Sequence, residues 1–260
     1  MTKGVMIVGY GTRKGNLEEI LGRQAARMRA RGIPNVYVGY FRVSSPSIPE
    51  ALGKMVSDGI DDILAVPYYI AEGRLTYEMI PEKLGISGNA GVAEVSGKRV
   101  KVRIAPAFGL RPALAGIVCD RIADAGGSFG DGILVIGHGS RDALSGNMEV
   151  MEIAAERLKA MGYRHVAYTF NEFCEPSIAD AVETLASEGV EKIVAVPLFV
   201  AMGLHLGEEV PEQIGISAYS PGGEISVRGR NIRVVYTKPM EDDPRLLETM
   251  VSEAENFYGM

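Results

Sequence analysis

"ILAVPYYIAEG" at residues 63–73 returns as "IVAVPLFVAMG" at residues 193–203, and that recurrence decides the fold. The spacing is 193 − 63 = 130. "IPEKLGIS" (80–87) returns as "VPEQIGIS" (210–217), and "SPSIPEAL" (45–52) as "EPSIADAV" (175–182), both again 130 apart. Near the start, "IVGYGTRK" (7–14) pairs with "VIGHGSRD" (135–142) at an offset of 128. A nearly fixed offset, 130 in three segments and 128 in the fourth, is the mark of an internal duplication covering nearly the whole chain.

Each copy carries the same pattern. "VMIVG" and "ILVIG" are short apolar runs rich in Val and Ile, which read as buried strands. A loop and a helix follow. Asn16 with Glu19, and Asn147 ahead of "MEVMEIAAERLKAMG", predict capped helix starts. Gly32 and Gly162 predict the stops. A second strand ("NVYVGYF", "HVAYTF") leads to a helix expected to open at Pro46 or Pro176. "DILAVPYYI" and "KIVAVPLFV" are third strands, and "VKVRIAP" and "IRVVYTKP" fourth strands, each followed by a last helix. Alternating strands and helices imply parallel sheets covered on both faces. The expected fold is therefore α/β, with two tandem lobes at residues 1–127 and 128–260, each built on a mainly four-stranded parallel sheet.

Composition narrows the function. The 260 residues are 47% hydrophobic and 23% charged, an ordinary globular balance. A net charge of −6 argues against nucleic acid as a partner. No apolar run reaches the roughly 20 residues that span a bilayer. The start "MTKGVMIVGYG" enters a strand pattern directly, without a signal-peptide pattern, and Cys119 and Cys174 have no metal-type spacing. A reducing cytoplasm is the expected compartment.

The glycine loop "GYGTRKG" (9–15) follows a strand and precedes a helix, which invites a dinucleotide site. Its spacing is G-x-G-x-x-x-G, and the second strand ends in Arg42 where the usual fingerprint places an acid. "GHGSRDALSG" departs further, and no Walker lysine motif occurs. No nucleotide is expected; a tight strand-to-helix turn accounts for the glycines.

Ligands of parallel sheets sit beyond the carboxyl ends of the strands. In the second copy the first strand ends at His138, the second reaches Glu172 and Glu175, and the loop after the third carries His205. The chain has three histidines, and two fall at these ends. Two imidazoles and a carboxylate suit a first-row divalent metal. Glu172 lies nearer its strand end than Glu175, which directly precedes Pro176 and fits a helix start, so Glu172 is the favoured acid and Glu175 the lesser candidate. His165, at the start of a strand, and Cys119, on a helix, are expected to be structural, and Cys174 to be a small filler.

"HGSR" after the first strand, "FxEFxEPSI" after the second and "VPLFVAMGLH…(E)xP" after the third, in that order and with the duplication, resemble the class II tetrapyrrole chelatases, most closely the sirohydrochlorin cobaltochelatase family. The resemblance covers nearly the whole chain. It implies two flavodoxin-like lobes facing a cleft that takes the macrocycle, and insertion of a divalent metal without ATP. It also implies that His138 and His205 handle the metal, with Glu172 as their acidic partner. Cobalt is the expected metal, with iron or nickel as alternatives on the same substrate and a non-catalytic metal or tetrapyrrole carrier as the other class. A fused pair needs no partner to complete its cleft, so a monomer is expected and a homo-oligomer stays open.

The first copy has lost this chemistry. Tyr10 stands for His138, Arg42 for Glu172 and Leu75 for His205. The proposed substrate is a polycarboxylate and the protein is acidic, so local basic groups must receive it. The expected substrate contacts are Tyr10, Arg13, Arg42 and Arg74 in the first copy, with Ser140 and Arg141 in the second.

Overall fold

The computed structural model describes residues 1–109, 111–142 and 145–260. The strands of the first copy are β1 (Lys3–Gly9), β2 (Val36–Tyr40), β3 (Asp62–Pro67), β4 (Ala90–Val95) and β5 (Lys98–Ile104). They form one sheet in the order β2-β1-β3-β5-β4, parallel except for the antiparallel β4–β5 pair. The second copy repeats this with β6 (Gly132–Gly137), β7 (His165–Phe170), β8 (Lys192–Pro197), β9 (Gly222–Val227) and β10 (Arg230–Tyr236), ordered β7-β6-β8-β10-β9. Each sheet thus has five strands, one more than the pattern of apolar runs implies. The added strand is the outer arm of a hairpin. Its two-residue turns, Ser96-Gly97 and Arg228-Gly229, have positive φ at both positions, the geometry that matches strand twist. The arm alternates buried and exposed residues and carries charge, so it lacks the apolar run that marks the other strands.

The helices are α1 (Leu17–Ala30), α2 (Ile48–Ser57), α3 (Ile80–Lys83), α4 (Pro112–Asp124), α5 (Asn147–Ala160), α6 (Ile178–Ser187), α7 (Val210–Ile214) and α8 (Pro244–Tyr258). A five-residue π-helical turn leads into α3 (Leu75–Met79) and another into α7 (His205–Glu209). Several starts differ from expectation. Asn16 sits at the cap position of α1 but its side chain does not cap the helix N–H groups, and Asn147 is already inside α5, behind Gly146. Pro46 and Pro176 precede their helices; Ser47 and Ser177 are the caps, each accepting from the backbone N–H three residues on. A serine hydroxyl satisfies an orphan N–H that proline could only omit. Gly32 and Gly162 follow α1 and α5 with φ of +87° and +104°, as a helix stop requires.

The repeat boundary and the packing boundary do not coincide. The expected lobes end at residue 127, but the chain packs as Met1–Gly109 with Asp242–Met260 (unit 1) and as Leu110–Glu241 (unit 2). The last helix of each copy is therefore built into the other copy's unit. In unit 1, α8 lies on α1 and β3 and buries Leu246, Leu247, Met250, Val251, Ala254 and Phe257. Its ends are tied down: Lys3 Nζ donates to the Phe257 carbonyl (2.6 Å), Tyr258 Oη to the Pro34 carbonyl (2.7 Å), and Arg31 pairs with Glu248 (2.5 Å). In unit 2, α4 packs on α5 and β8, and its buried Arg121 donates to the carbonyls of Pro239 (3.2 Å) and Met240 (3.3 Å). Helix amphipathicity is legible in sequence, but the identity of the sheet that receives the apolar face is not.

Burying a large apolar side chain is worth about 1.5–3 kcal/mol, so α8 contributes on the order of a domain's whole stability of about 5–15 kcal/mol. A chain ending at Glu241 should lose amide-exchange protection in β1, β2 and β3 and retain it in β6, β7 and β8. Loss confined to the second copy would contradict this assignment.

Candidate metal centre

Unit 2 brings its polar residues together at the carboxyl edge of its sheet. β6 lies between β7 and β8, and all three run parallel. His138 follows β6 directly. Glu172 lies two residues past β7, and its N–H donates to the His138 carbonyl (3.0 Å). His205 opens the π-helical turn beyond β8. Gly139 lets the first two loops meet: its φ is +87°, and a Cβ there would run into the Glu172 carbonyl. The glycine of the loop thus serves a close backbone approach.

The His138 and His205 rings are 5.2 Å apart between centroids, at 77°. His138 Nδ1 is 3.1 Å from the Gly139 carbonyl, an acceptor only, so Nδ1 donates and Nε2 keeps its lone pair. His205 Nδ1 lies 2.6 Å from Glu209 Oε2 and 3.8 Å from Glu172 Oε1. A carboxylate likewise only accepts, so in the neutral ring Nδ1–H points to Glu209 and the lone pair lies on Nε2. Glu172, His205 and Glu209 each offer a ligand atom within 4.8 Å of the others. The Glu209 carboxyl is held below the usual carboxylate range, first by its hydrogen bond to His205 and against the cost of partial burial. Below its neighbours, buried Asn171 places Nδ2 3.3 Å from His205 Nδ1 and 3.5 Å from Glu209, while Gln213 donates to the Asn171 side-chain carbonyl (2.9 Å). Carboxylates that fix a histidine tautomer in this way orient it for metal.

Glu175 is exposed and outside this cluster. Cys174 is more than filler: its sulfur accepts from Ser140 N–H and lies 3.3 Å from the Ser140 carbonyl, stapling the two site loops. Ser44, its counterpart, accepts from Thr12 N–H (3.1 Å) in the same way. Ser140 Oγ accepts from Asp142 N–H (3.0 Å), and the Arg141 guanidinium lies over Phe173, 4.4 Å from the ring centroid. His165 is engaged elsewhere, 2.6 Å from Glu188.

At the equivalent edge of unit 1 the backbone is the same and the chemistry is gone. Arg42 N–H donates to the Tyr10 carbonyl (2.8 Å), and Gly11 approaches the Arg42 carbonyl as Gly139 does Glu172. Leu75 and Met79, at the places of His205 and Glu209, pack against the unit 1 core. Arg13 and Arg42 are exposed, Arg42 over the Phe41 ring (5.3 Å). Arg74 is paired with Glu78 (2.9 Å), so its charge is already answered within its own turn.

A family model described as CbiX matches twice, over residues 4–125 and 132–256. The chain belongs to the CbiX family. A protein of Methanococcoides burtonii named sirohydrochlorin cobaltochelatase is 37% identical, over 47% of this chain and 93% of that protein. One of the same name from Methanopyrus kandleri is 31% identical, over 49% and 96%. These relatives are each about the length of one copy. Among solved structures, SirB from Bacillus subtilis with Fe3+ superposes with a TM-score of 0.74 at 19% identity, over 100% of this chain and 98% of that one. SirB from Bacillus subtilis subspecies spizizenii in complex with cobalt gives 0.70 at 16%, over the same shares. At such identities the likeness is one of fold.

The residues missed from sequence are Glu209 and Asn171. Both were in view, Glu209 as the acid of the E-x-P triplet and Asn171 as the unspecified position before Glu172. The signal was the spacing His205-x-x-x-Glu209, which puts both side chains on one helical face. Glu209→Gln keeps the size and loses the charge, and should weaken Co2+ binding about tenfold or more, read by titration of the protein's visible Co2+ spectrum.

Proposed function

We propose that this protein inserts a divalent metal, Co2+ first, into sirohydrochlorin, without a nucleotide and in the cytoplasm, with the metal-handling face in unit 2. The convergence of His138, Glu172, His205 and Glu209 at one sheet edge carries this, with the CbiX membership setting the substrate class.

Insertion needs the cation to shed water and two pyrrole N–H protons to leave as the metal–nitrogen bonds form. Neutral imidazole binds first-row metals well enough to collect them and lets them go. The two free Nε2 atoms supply that hold. Glu172, 3.8 Å from His205 Nδ1, is the carboxylate proposed to take the two protons in turn and pass them to water. Glu209 stays ionised beside His205 and keeps its tautomer. Imidazole and carboxylate also accept Fe2+ and Ni2+, so metal supply ranks the three.

Unit 1 contributes charge of the opposite sign. Exposed Arg13 and Arg42 are proposed to bind carboxylate side chains of the macrocycle, where a planar guanidinium offers two parallel donors. Arg74 is the weaker candidate because it must first leave Glu78. Arg141 and Ser140, close to His138 in sequence, are further proposed contacts, as is Tyr10 at the position of His138 in unit 1.

The defining assay mixes protein, sirohydrochlorin and Co2+ and follows the macrocycle absorbance against a protein-free control. His138→Ala and His205→Ala should each lower the initial rate by orders of magnitude with the thermal midpoint retained. Glu172→Gln should cost more than Glu175→Gln; the reverse order would move the proton acceptor to Glu175. Arg42→Ala should raise the KM for sirohydrochlorin at saturating Co2+, with a contact to a charged group worth about 1.5–3 kcal/mol.

A further inference from the structure

The two copies part company beside the π-helical turn that carries His205 and Glu209. The offset is 210 − 80 = 130 at "VPEQIGIS" and 222 − 90 = 132 at the hairpin strands β9 and β4, so the second copy holds two more residues between Ser217 and β9 than the first holds between Ser87 and β4. Tyr219 lies in that longer segment, with a left-handed φ of +56°.

Tyr219 meets the turn at three points. Its N–H donates to the Gly207 carbonyl (2.7 Å), and its hydroxyl donates to Glu208 Oε1 (2.9 Å). Its ring lies flat against Gly207: a Cβ there would sit 2.7 Å from Cζ and 2.9 Å from Cδ1. Gly207 is midway between His205 and Glu209. One residue earlier, the Leu206 carbonyl accepts from the buried hydroxyl of Tyr236 (3.1 Å). The first copy has neither device. Its counterpart of Gly207 is Tyr77, with an exposed side chain, and its counterpart of Tyr236 is Ile104. The first copy holds its turn by other means, with Leu75 and Met79 against the core and the Thr76 hydroxyl donating to the Gly73 carbonyl (2.9 Å).

We propose that Tyr219 is a positioning residue that, through Gly207 and with Tyr236, sets the spacing of His205 and Glu209 for metal. This rests on the metal-face reading of unit 2. The physical reason is that a turn of i→i+5 bonds is an uncommon backbone state, often found at functional sites, and needs outside contacts to hold one geometry. An aromatic ring is a rigid wall for that purpose, and glycine is the residue that lets it come close. The left-handed φ supports the assignment, because a tyrosine gains nothing locally from that backbone.

The test uses the full chain and Co2+ alone as the probe, with Kd read from the visible Co2+ spectrum and stability from the thermal midpoint. Tyr219→Gly removes the ring at a position whose φ suits glycine. It should leave the midpoint level or higher while weakening Co2+ binding about tenfold, the loss typical of a residue that supports a metal ligand. Tyr219→Phe keeps the wall and should recover most of that affinity. Gly207→Ala should weaken Co2+ binding in the parent chain and add little in the Tyr219→Gly background, since the ring it collides with is gone. Tyr219→Gly binding Co2+ within twofold of the parent, or Tyr219→Phe behaving like Tyr219→Gly, would overturn the brace. His205→Ala is the separate control: if it binds Co2+ as the parent does, the metal face itself is misplaced and the brace falls with it.

Discussion

The close passage of two loops at the edge of a parallel sheet is the constraint on which the site depends. Parallel strands deliver their carboxyl ends to one edge, so side chains far apart in sequence are presented together. Here β6 ends against the loop after β7, with the Gly139 backbone lying on the Glu172 carbonyl and the Glu172 N–H on the His138 carbonyl. A side chain at Gly139 would push the loops apart and carry Glu172 away from His205. The glycines that invite a nucleotide reading have this other use, and Cys174 adds its sulfur to the same junction.

That junction outlives the chemistry it supports. Unit 1 keeps the approach of Gly11 to Arg42 and the Ser44 staple, although Tyr10, Arg42, Leu75 and Met79 have replaced all four polar groups of the other face. Backbone packing resists change because a shifted loop leaves polar groups unpaired and cores unfilled. A side chain that points off a strand end to solvent meets no such resistance. A duplicated fold can therefore reverse the charge of one face, from ligands for a cation to guanidinium groups for an anion, at little structural cost.

Hydrogen bonds within the site give its two acids different surroundings. Glu209 is bound to His205 Nδ1 and Asn171, and Asn171 in turn to Gln213, so Glu209 is committed to holding the imidazole. Glu172 lies farther from the same nitrogen and keeps its acceptor capacity. Two carboxylates of like charge near one histidine are thereby distinguished by geometry alone, one bound to the imidazole and one farther from it.

The amino-acid sequence by itself determined the duplication, the α/β alternation, the parallel core strands and the strand-end positions of His138, Glu172 and His205. Each of these is written in local patterns, namely apolar runs, glycine turns and an offset that stays within a few residues of 130. Four other features were decided by tertiary structure. The hairpin arms β4 and β9 alternate and carry charge, so no apolar run announces them. The sheet that receives α8 depends on a complementary surface far away in sequence, which an amphipathic helix does not specify. Glu209 and Asn171 became site residues only when the π-helical turn brought one above the strand end that carries the other. Tyr219 acquired its place from a two-residue difference in a loop, whose effect lies in a contact with Gly207. Local pattern dictates which elements form, and close packing between elements decides which side chains meet.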